Sequence, residues 1–374
     1  MAIERVCSSC FEDRDIRAWI KVQGGPRGCD ACGKFDSPTA PMDELCEHIE
    51  RCISRYWGDA AEQMTYITAE GGYVGQTWTT YEILNEEIEI QLPRDQNGRL
   101  FSCLVHEISD RAWCDYDWLS LDTDQALLTS WNEFCRTVKH RRRFFFQTAR
   151  EDDRDSYSVT SLLSSVAAFA EHIGLVIKIR SGARLWRARP DLRARSRVEP
   201  ADFGPPPPAM ALQSNRMNPP GIPMLYLASS ARAAVRETKS ARSKVGQWEL
   251  IVDLRVLDLR SLPPVPGYFS GVDREYRLYI RFLREFTRSI MQPVERDERQ
   301  HIDYLPSQVA TEYFRDFAFQ CGSIDGIAYG STVGDGWNVV LFAEANDLGL
   351  GPIDEWRIPG LPWLRFIKAK MSVA

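Results

Sequence analysis

The stretch from Ser214 to Glu237, Ser-Asn-Arg-Met-Asn-Pro-Pro-Gly-Ile-Pro-Met-Leu-Tyr-Leu-Ala-Ser-Ser-Ala-Arg-Ala-Ala-Val-Arg-Glu, decides how the chain is read. Proline lacks an amide donor and restricts its predecessor, so Asn218-Pro-Pro-Gly221 cannot be helical and Arg216 is expected on an extended loop. That loop feeds the run Met224 to Ala228, which reads as a short strand carrying Tyr226. Ser229 or Ser230 then offers an oxygen to cap a helix in which Ala231, Ala233, Ala234 and Val235 are good-to-fair formers, with Glu237 about two turns in. A guanidinium, an aromatic ring and a carboxylate are thereby expected at one strand-to-helix corner.

A second set of residues lies about a hundred positions on. Asp325-Gly-Ile-Ala-Tyr-Gly-Ser331 reads as a short apolar strand closing on Ser331. A Gly-rich turn and a second strand, Trp337 to Ala343, follow, with Asn338 near its start. Such a hairpin presents Ser331 at a strand edge.

Together the two segments resemble the RES domain, a bacterial toxin family named for its Arg, Glu and Ser. The order Arg216, Tyr226, Glu237, Ser331 fits that family, as do Leu185-Trp-Arg187-Ala-Arg189 upstream and Tyr304-Leu-Pro-Ser-Gln308 before the helix leading to Asp325. The resemblance spans roughly residues 175 to 345. It implies a fold similar to ADP-ribosyltransferases, in which two small sheets pinch a nicotinamide dinucleotide. It also implies degradation of NAD by hydrolysis or phosphorolysis, and an antitoxin partner of the helix-turn-helix Xre type.

The residue types suit that chemistry. Cleaving a nicotinamide–ribose bond passes through an oxocarbenium-like state, and Glu237 is expected to oppose its positive charge while holding ribose hydroxyls. Arg216 offers a planar fork for a pyrophosphate, and Arg187 a second cation. Tyr226 is expected to stack on nicotinamide or ribose with its hydroxyl free to bond. Ser331, and Asn338 beside it, are expected to contact NAD. Taken singly, these residues have plainer readings as a surface ion pair, a half-buried strand tyrosine and a turn serine. Only the set points to a site.

Cys7-Ser-Ser-Cys10 and Cys29-Asp-Ala-Cys32 are two Cys-x-x-Cys knuckles separated by eighteen residues, the spacing of a four-thiolate zinc site. Four thiolates close a tetrahedron and leave no position for water, so the metal is expected to be structural. The other cysteines, Cys46, Cys52, Cys103, Cys114, Cys135 and Cys321, lack ligand spacing. With no signal segment at the start of the chain, free thiols and a zinc knuckle point to a reducing cytoplasm.

The 374 residues are 44% hydrophobic and 26% charged, which is ordinary globular usage. No apolar run approaches the roughly twenty residues that span a bilayer, so no membrane role is expected. A net charge of −6 argues against a general nucleic-acid coat, leaving the knuckle as the one place where nucleic acid is considered. Basic clusters at Lys139-His-Arg-Arg-Arg143 and through Arg184, Arg187, Arg189, Arg193, Arg195 and Arg197 read either as local anion sites or as solvated faces. Neither a dinucleotide-binding Gly-x-Gly-x-x-Gly turn nor a phosphate-binding Gly-x-x-x-x-Gly-Lys loop occurs.

Between knuckle and C-terminal domain the pattern is helical. Leu45, Ile49, Cys52, Ile53 and Tyr56 line one face, Leu127, Leu128, Trp131, Phe134, Cys135 and Val138 another, and Val159 to Ile173 supplies a third helix capped near Ser158 or Thr160. Glu87 to Leu92 alternates like a strand, as do Leu175 to Ile179 and Trp248 to Leu259. The helical module, ending in Val138-Lys-His-Arg-Arg-Arg-Phe-Phe-Phe146, resembles the HEPN-type N-terminal domain that accompanies some RES domains. Arg136 and His140 have three residues between them, a departure from the arginine–histidine spacing of HEPN ribonucleases. The run Phe144 to Phe146 is expected in the module's core.

The sequence thus predicts an α+β protein: a mostly helical N-terminal module with a zinc knuckle, then an ADP-ribosyltransferase-like split β-sheet domain. The expected boundaries are 1–40 for the knuckle, 41–155 for the helical module and 156–374 for the RES domain. Two other functions stay open, transfer of ADP-ribose to a protein and a zinc-containing sensor or binding protein without catalysis.

Overall fold

The computed structural model describes residues 3–25, 27–35, 37–108, 111–144, 155–192, 194–240, 242–294, 298–350 and 362–373. Arg193 of the second basic cluster and Phe145 and Phe146 of the aromatic run lie outside these residues. Contacts divide the chain into one unit of residues 1–125 and 264–281 and another of 126–263 and 282–374.

In the first unit, β1 (Arg5–Cys7) pairs antiparallel with β2 (Thr39–Pro41), bringing the two ends of the knuckle together. The helix Arg14–Gln23 starts where the Asp13 side chain accepts from the amides of Asp15 and Ile16, and it buries Ile16 and Ile20 at i, i+4 spacing. These residues join one core with Cys7, Cys10, Cys29, Leu45, Ile49 and Ile53, the last three from the helix Met42–Ile53. The knuckle therefore shares its core with the helical module. Two further antiparallel pairs follow, β3 (Trp57–Asp59) with β6 (Trp113–Asp115), and β4 (Tyr66–Ile67) with β5 (Gly72–Tyr73).

Glu87 to Leu92 is not a strand. Ile83–Glu87 forms a single π-helical turn, and Glu89 follows with φ of 53°. Ile88, Ile90 and Leu92 do pack against the core. The alternation was real as burial but had no partner strand. Residues 264–281, which the sequence reading gives to the RES domain, fall in the first unit: Tyr268 packs against Tyr56 and Trp57, and the Arg277 guanidinium lies 4.0 Å over the Tyr268 ring.

The second unit is built on an eight-stranded mixed sheet. Its strands are β7 (Val176–Ile179), β8 (Arg184–Arg189), β9 (Leu225–Ala228), β10 (Arg242–Leu250), β11 (Leu254–Asp258), β12 (Gly326–Gly330), β13 (Trp337–Leu341) and β14 (Leu364–Val373). Their order is β14-β10-β8-β9-β13-β12-β11-β7, antiparallel except for β11 with β12. The run Trp248 to Leu259 is the end of β10 and all of β11, broken where Asp253 turns aside to accept from the Ser181 amide. β8 and β9 meet through one residue pair, Trp186 with Ala228, whereas β8 and β10 pair over six residues.

Alternation along the strands sends Leu225, Leu227, Ala328, Val339 and Leu341 into one core with Leu185, Phe203 and Trp248. Tyr226, Ala228, Tyr329 and Asn338 are left on the opposite face. The helices Val159–His172, capped by Ser158, and Leu305–Asp316 belong to this unit. Here Trp131 packs on Phe286, and Phe286 on Phe314. Of the basic clusters, Lys139 pairs with Asp303, Arg141 with Glu133, Arg184 with Glu249 and Arg195 with Asp202. No helix among the described residues is long and apolar enough to cross a membrane.

Candidate active site

Glu237 is the last residue of the helix Ala231–Glu237, which starts where the Ser230 hydroxyl accepts from the Ala233 amide. Two donors converge on its Oε1: Ser331 Oγ at 2.8 Å and Asn338 Nδ2 at 2.6 Å. Ser331 follows β12 and closes the turn by giving its amide to the Gly336 carbonyl at 3.1 Å, while its hydroxyl accepts from the Val333 amide at 3.3 Å. The turn needs glycine at 334 and 336, with φ of 147° and 114°, values that side chains rarely tolerate. Asn338 is buried on β13, opposite both Ala228 and Tyr329.

Arg216 stands on its extended loop with its guanidinium 5.7 Å from the centre of the Tyr329 ring. Burial raises the Tyr329 phenol above the usual tyrosine range. The positive charge of Arg216 opposes that rise and the negative charge of Glu237 adds to it. Tyr329 thus lies under the Arg216 guanidinium and feels the charge of Glu237, and sequence reasoning missed it. Tyr329 stands on β12 two residues before Ser331, which follows that strand, but only the neighbouring strand and its register give it a place in the site.

Tyr226 lies half-buried on β9. Its hydroxyl donates to Asn218 Oδ1 at 2.7 Å and accepts from the Met217 amide at 3.2 Å. The expectation of a free hydroxyl is therefore corrected: loop 217–218 takes it. Arg187 stands on the side of β8 opposite Trp186 and Ala188, and it donates to the Gly204 carbonyl at 2.7 Å, which Arg189 also approaches at 3.3 Å. Burial, with Arg189 beside it, lowers the pKa of Arg187 well below the ordinary arginine value. The structure thus brings Glu237, Ser331 and Asn338 into direct contact, sets Arg216 over Tyr329, ties the Tyr226 hydroxyl to the Arg216 loop, and sets Arg187 against a backbone carbonyl.

In the first unit, the thiols of Cys7, Cys10, Cys29 and Cys32 lie within 4.8 Å of one another. Their closest Sγ separations are 3.6, 3.6 and 3.7 Å. Thiolates about 2.3 Å from a tetrahedral zinc stand roughly 3.8 Å apart, so this donor set fits such an ion. A hydrogen bond from Cys10 lowers the pKa of the Cys29 thiol. Arg136 and His140 form no comparable centre, since Arg136 is exposed and pairs with Glu133 at 2.9 Å.

A mixed sheet that holds a carboxylate between a serine and an asparagine, with an arginine across a buried tyrosine, defines a polar site on an α/β scaffold. Residues 184–360 match the RES domain and residues 22–152 match HEPN/RES N-terminal domain 1, so the chain belongs to the RES-domain proteins that carry this N-terminal domain. Among solved structures, the crystal structure of the M. tuberculosis MbcT–MbcA toxin–antitoxin complex is similar at a TM-score of 0.30 and 13% identity, over 56% of this chain and 92% of that one. No curated protein matches the chain.

Proposed function

We propose that the RES domain of this protein consumes NAD by cleaving its nicotinamide–ribose bond, with water or phosphate taking the ribosyl group. The observation that carries this reading is the Glu237 carboxylate, pinned at Oε1 by Ser331 and Asn338. Two hydrogen bonds to one oxygen fix the plane of the carboxylate. A fixed negative charge stabilises an oxocarbenium-like ribose without reorganising as the bond breaks. Arg216 supplies a bidentate cation for the pyrophosphate, and the Tyr226 ring a stacking face for nicotinamide or ribose.

The single pair joining β8 to β9 supports the ADP-ribosyltransferase-like reading of a split sheet, with a nicotinamide dinucleotide held where the halves part. By family resemblance, an Xre-type antitoxin restrains the enzyme in a reducing cytoplasm. Zinc held by Cys7, Cys10, Cys29 and Cys32 is structural in this reading: it joins segments of one core and leaves no coordination position open.

The test is to incubate the purified full chain with NAD, with and without phosphate, and to follow free nicotinamide beside a folded Glu237→Gln variant. Release by the wild type alone is the expected result, and its dependence on phosphate separates phosphorolysis from hydrolysis. Labelled protein accumulating in place of free ADP-ribose would move the assignment to protein modification. No release in any condition sinks the proposal.

A further inference from the structure

The loop that carries Arg216 has no secondary structure to satisfy its backbone, because Pro219 and Pro220 prevent both helix and ladder. Besides the Asn215 amide, which donates to the Asn218 carbonyl at 3.0 Å, the donors to its carbonyls from Ser214 to Asn218 are side chains from one short segment. Gln300 Nε2 donates to the Ser214 carbonyl at 2.9 Å. Gln308 Nε2 reaches the Asn215 carbonyl at 2.7 Å, the Asn218 carbonyl at 3.1 Å and the Ser214 hydroxyl at 2.9 Å. Ser307 Oγ lies 2.5 Å from the Arg216 carbonyl and 2.9 Å from that of Tyr304, so its one proton is shared between them.

Gln308 and Ser307 are 3% and 5% exposed, on the first turn of the helix Leu305–Asp316. Both have a buried polar group whose partners are loop carbonyls, and a buried donor of that kind is costly to leave unpaired. The third fastening is the Tyr226 hydroxyl on Asn218 and Met217. Asn218 closes the loop on itself by donating to the Ile222 carbonyl at 2.7 Å.

We propose that Gln308, assisted by Ser307, is a positioning residue that holds the Arg216 loop by its carbonyls and so sets where the guanidinium stands beside Tyr329. Neither residue touches the carboxylate site; they act through Arg216. The substrate consequence rests on the NAD reading above, whereas the clamp itself does not. If Arg216 grips a pyrophosphate, loosening it weakens ground-state binding and leaves the glycosidic chemistry at Glu237 in place.

The experiment uses the full chain and the variants Gln308→Leu, Gln308→Glu and Ser307→Ala. Gln308→Glu keeps the shape but sets an acceptor against carbonyls that need a donor. Amide hydrogen exchange without any ligand is read over residues 212–222, with β12 and β13 as internal controls. The expected result is faster exchange confined to the loop, in the order Gln308→Glu, Gln308→Leu, Ser307→Ala. Unchanged loop exchange in Gln308→Glu and Gln308→Leu, with the controls intact, overturns the proposal. Should the leucine variant lose the controls as well, the serine variant decides.

A second arm compares NAD with nicotinamide riboside, which lacks the pyrophosphate. KM for NAD should rise about tenfold, the loss expected for a displaced charge-assisted contact, with kcat within about twofold and the riboside unaffected. An equal loss for both compounds assigns Gln308 to general stability and overturns its positioning role. Faster loop exchange in a chain whose wild type releases no nicotinamide keeps the clamp and removes the NAD reading.

Discussion

Ser331 and Asn338 reach the same oxygen of Glu237, and that shared target makes their losses unequal to the loss of the carboxylate. Glu237→Gln keeps the shape and removes the charge, so nicotinamide release should fall by about a hundredfold or more while the circular dichroism of the fold is kept. Ser331→Ala or Asn338→Ala leaves the charge but frees its orientation. Each should cost about tenfold in kcat, and the double variant less than the product of the two, because both act through one group. A double variant that multiplies fully would mean that the residues act independently on the substrate. Tyr226→Phe belongs at the same scale. It removes the hydroxyl from between Met217 and Asn218 and should lower unfolding stability by about 1–3 kcal/mol, read from the denaturant midpoint.

At the scale of elements, the strand–helix corner and the β12–β13 hairpin could be read from the sequence because proline, alternation and serine caps are local signals. The cap proved to be Ser230, one of the two candidates, and the strand Leu225–Ala228 lies within the expected run. Tyr329 could not be chosen, since its value depends on which strand lies beside β12 and in what register. The Tyr226 hydroxyl was misjudged for the same reason: its partners lie on a loop whose path proline constrains but does not specify. Glu87–Leu92 carried the period of a strand without a neighbour to pair with. Packing across elements gives a further expectation. A methyl group at Gly246 of β10 would sit 2.5 Å from the buried Phe203 ring, so Gly246→Ala should destabilise the domain by about 1–3 kcal/mol, with a matching fall in melting temperature. An unchanged midpoint would show that Phe203 can move aside.

Across the whole molecule, the four-thiol cluster is where a small change should have the widest reach. Cys7, Cys10 and Cys29 lie in the same core as Leu45, Ile49 and Leu104, so a metal held by them would support the entire first unit. Purified protein should release about one zinc per chain to a colorimetric chelator after thiol modification. In a thermal scan, chelation should lower the transition of the first unit while the transition of the second stays in place. A scan indifferent to chelator would remove the metal from the structural account.

The sheet of the second unit has one further property, which follows from the pair Trp186–Ala228. Where strands are laced over many residues, bending the sheet means straining many bonds at once, and the surface behaves as a plate. Where they are joined by one pair, the same surface has a crease. β14, β10 and β8 on one side and the five strands from β9 to β7 on the other share one ladder pair, so their mutual angle is held mainly by the apolar core beneath, where Leu185 and Trp248 meet Leu225, Leu227 and Val339. Arg187 of β8 and Tyr226 of β9 stand on opposite banks of that crease, so the spacing of their strands is set by side-chain packing more than by backbone hydrogen bonds.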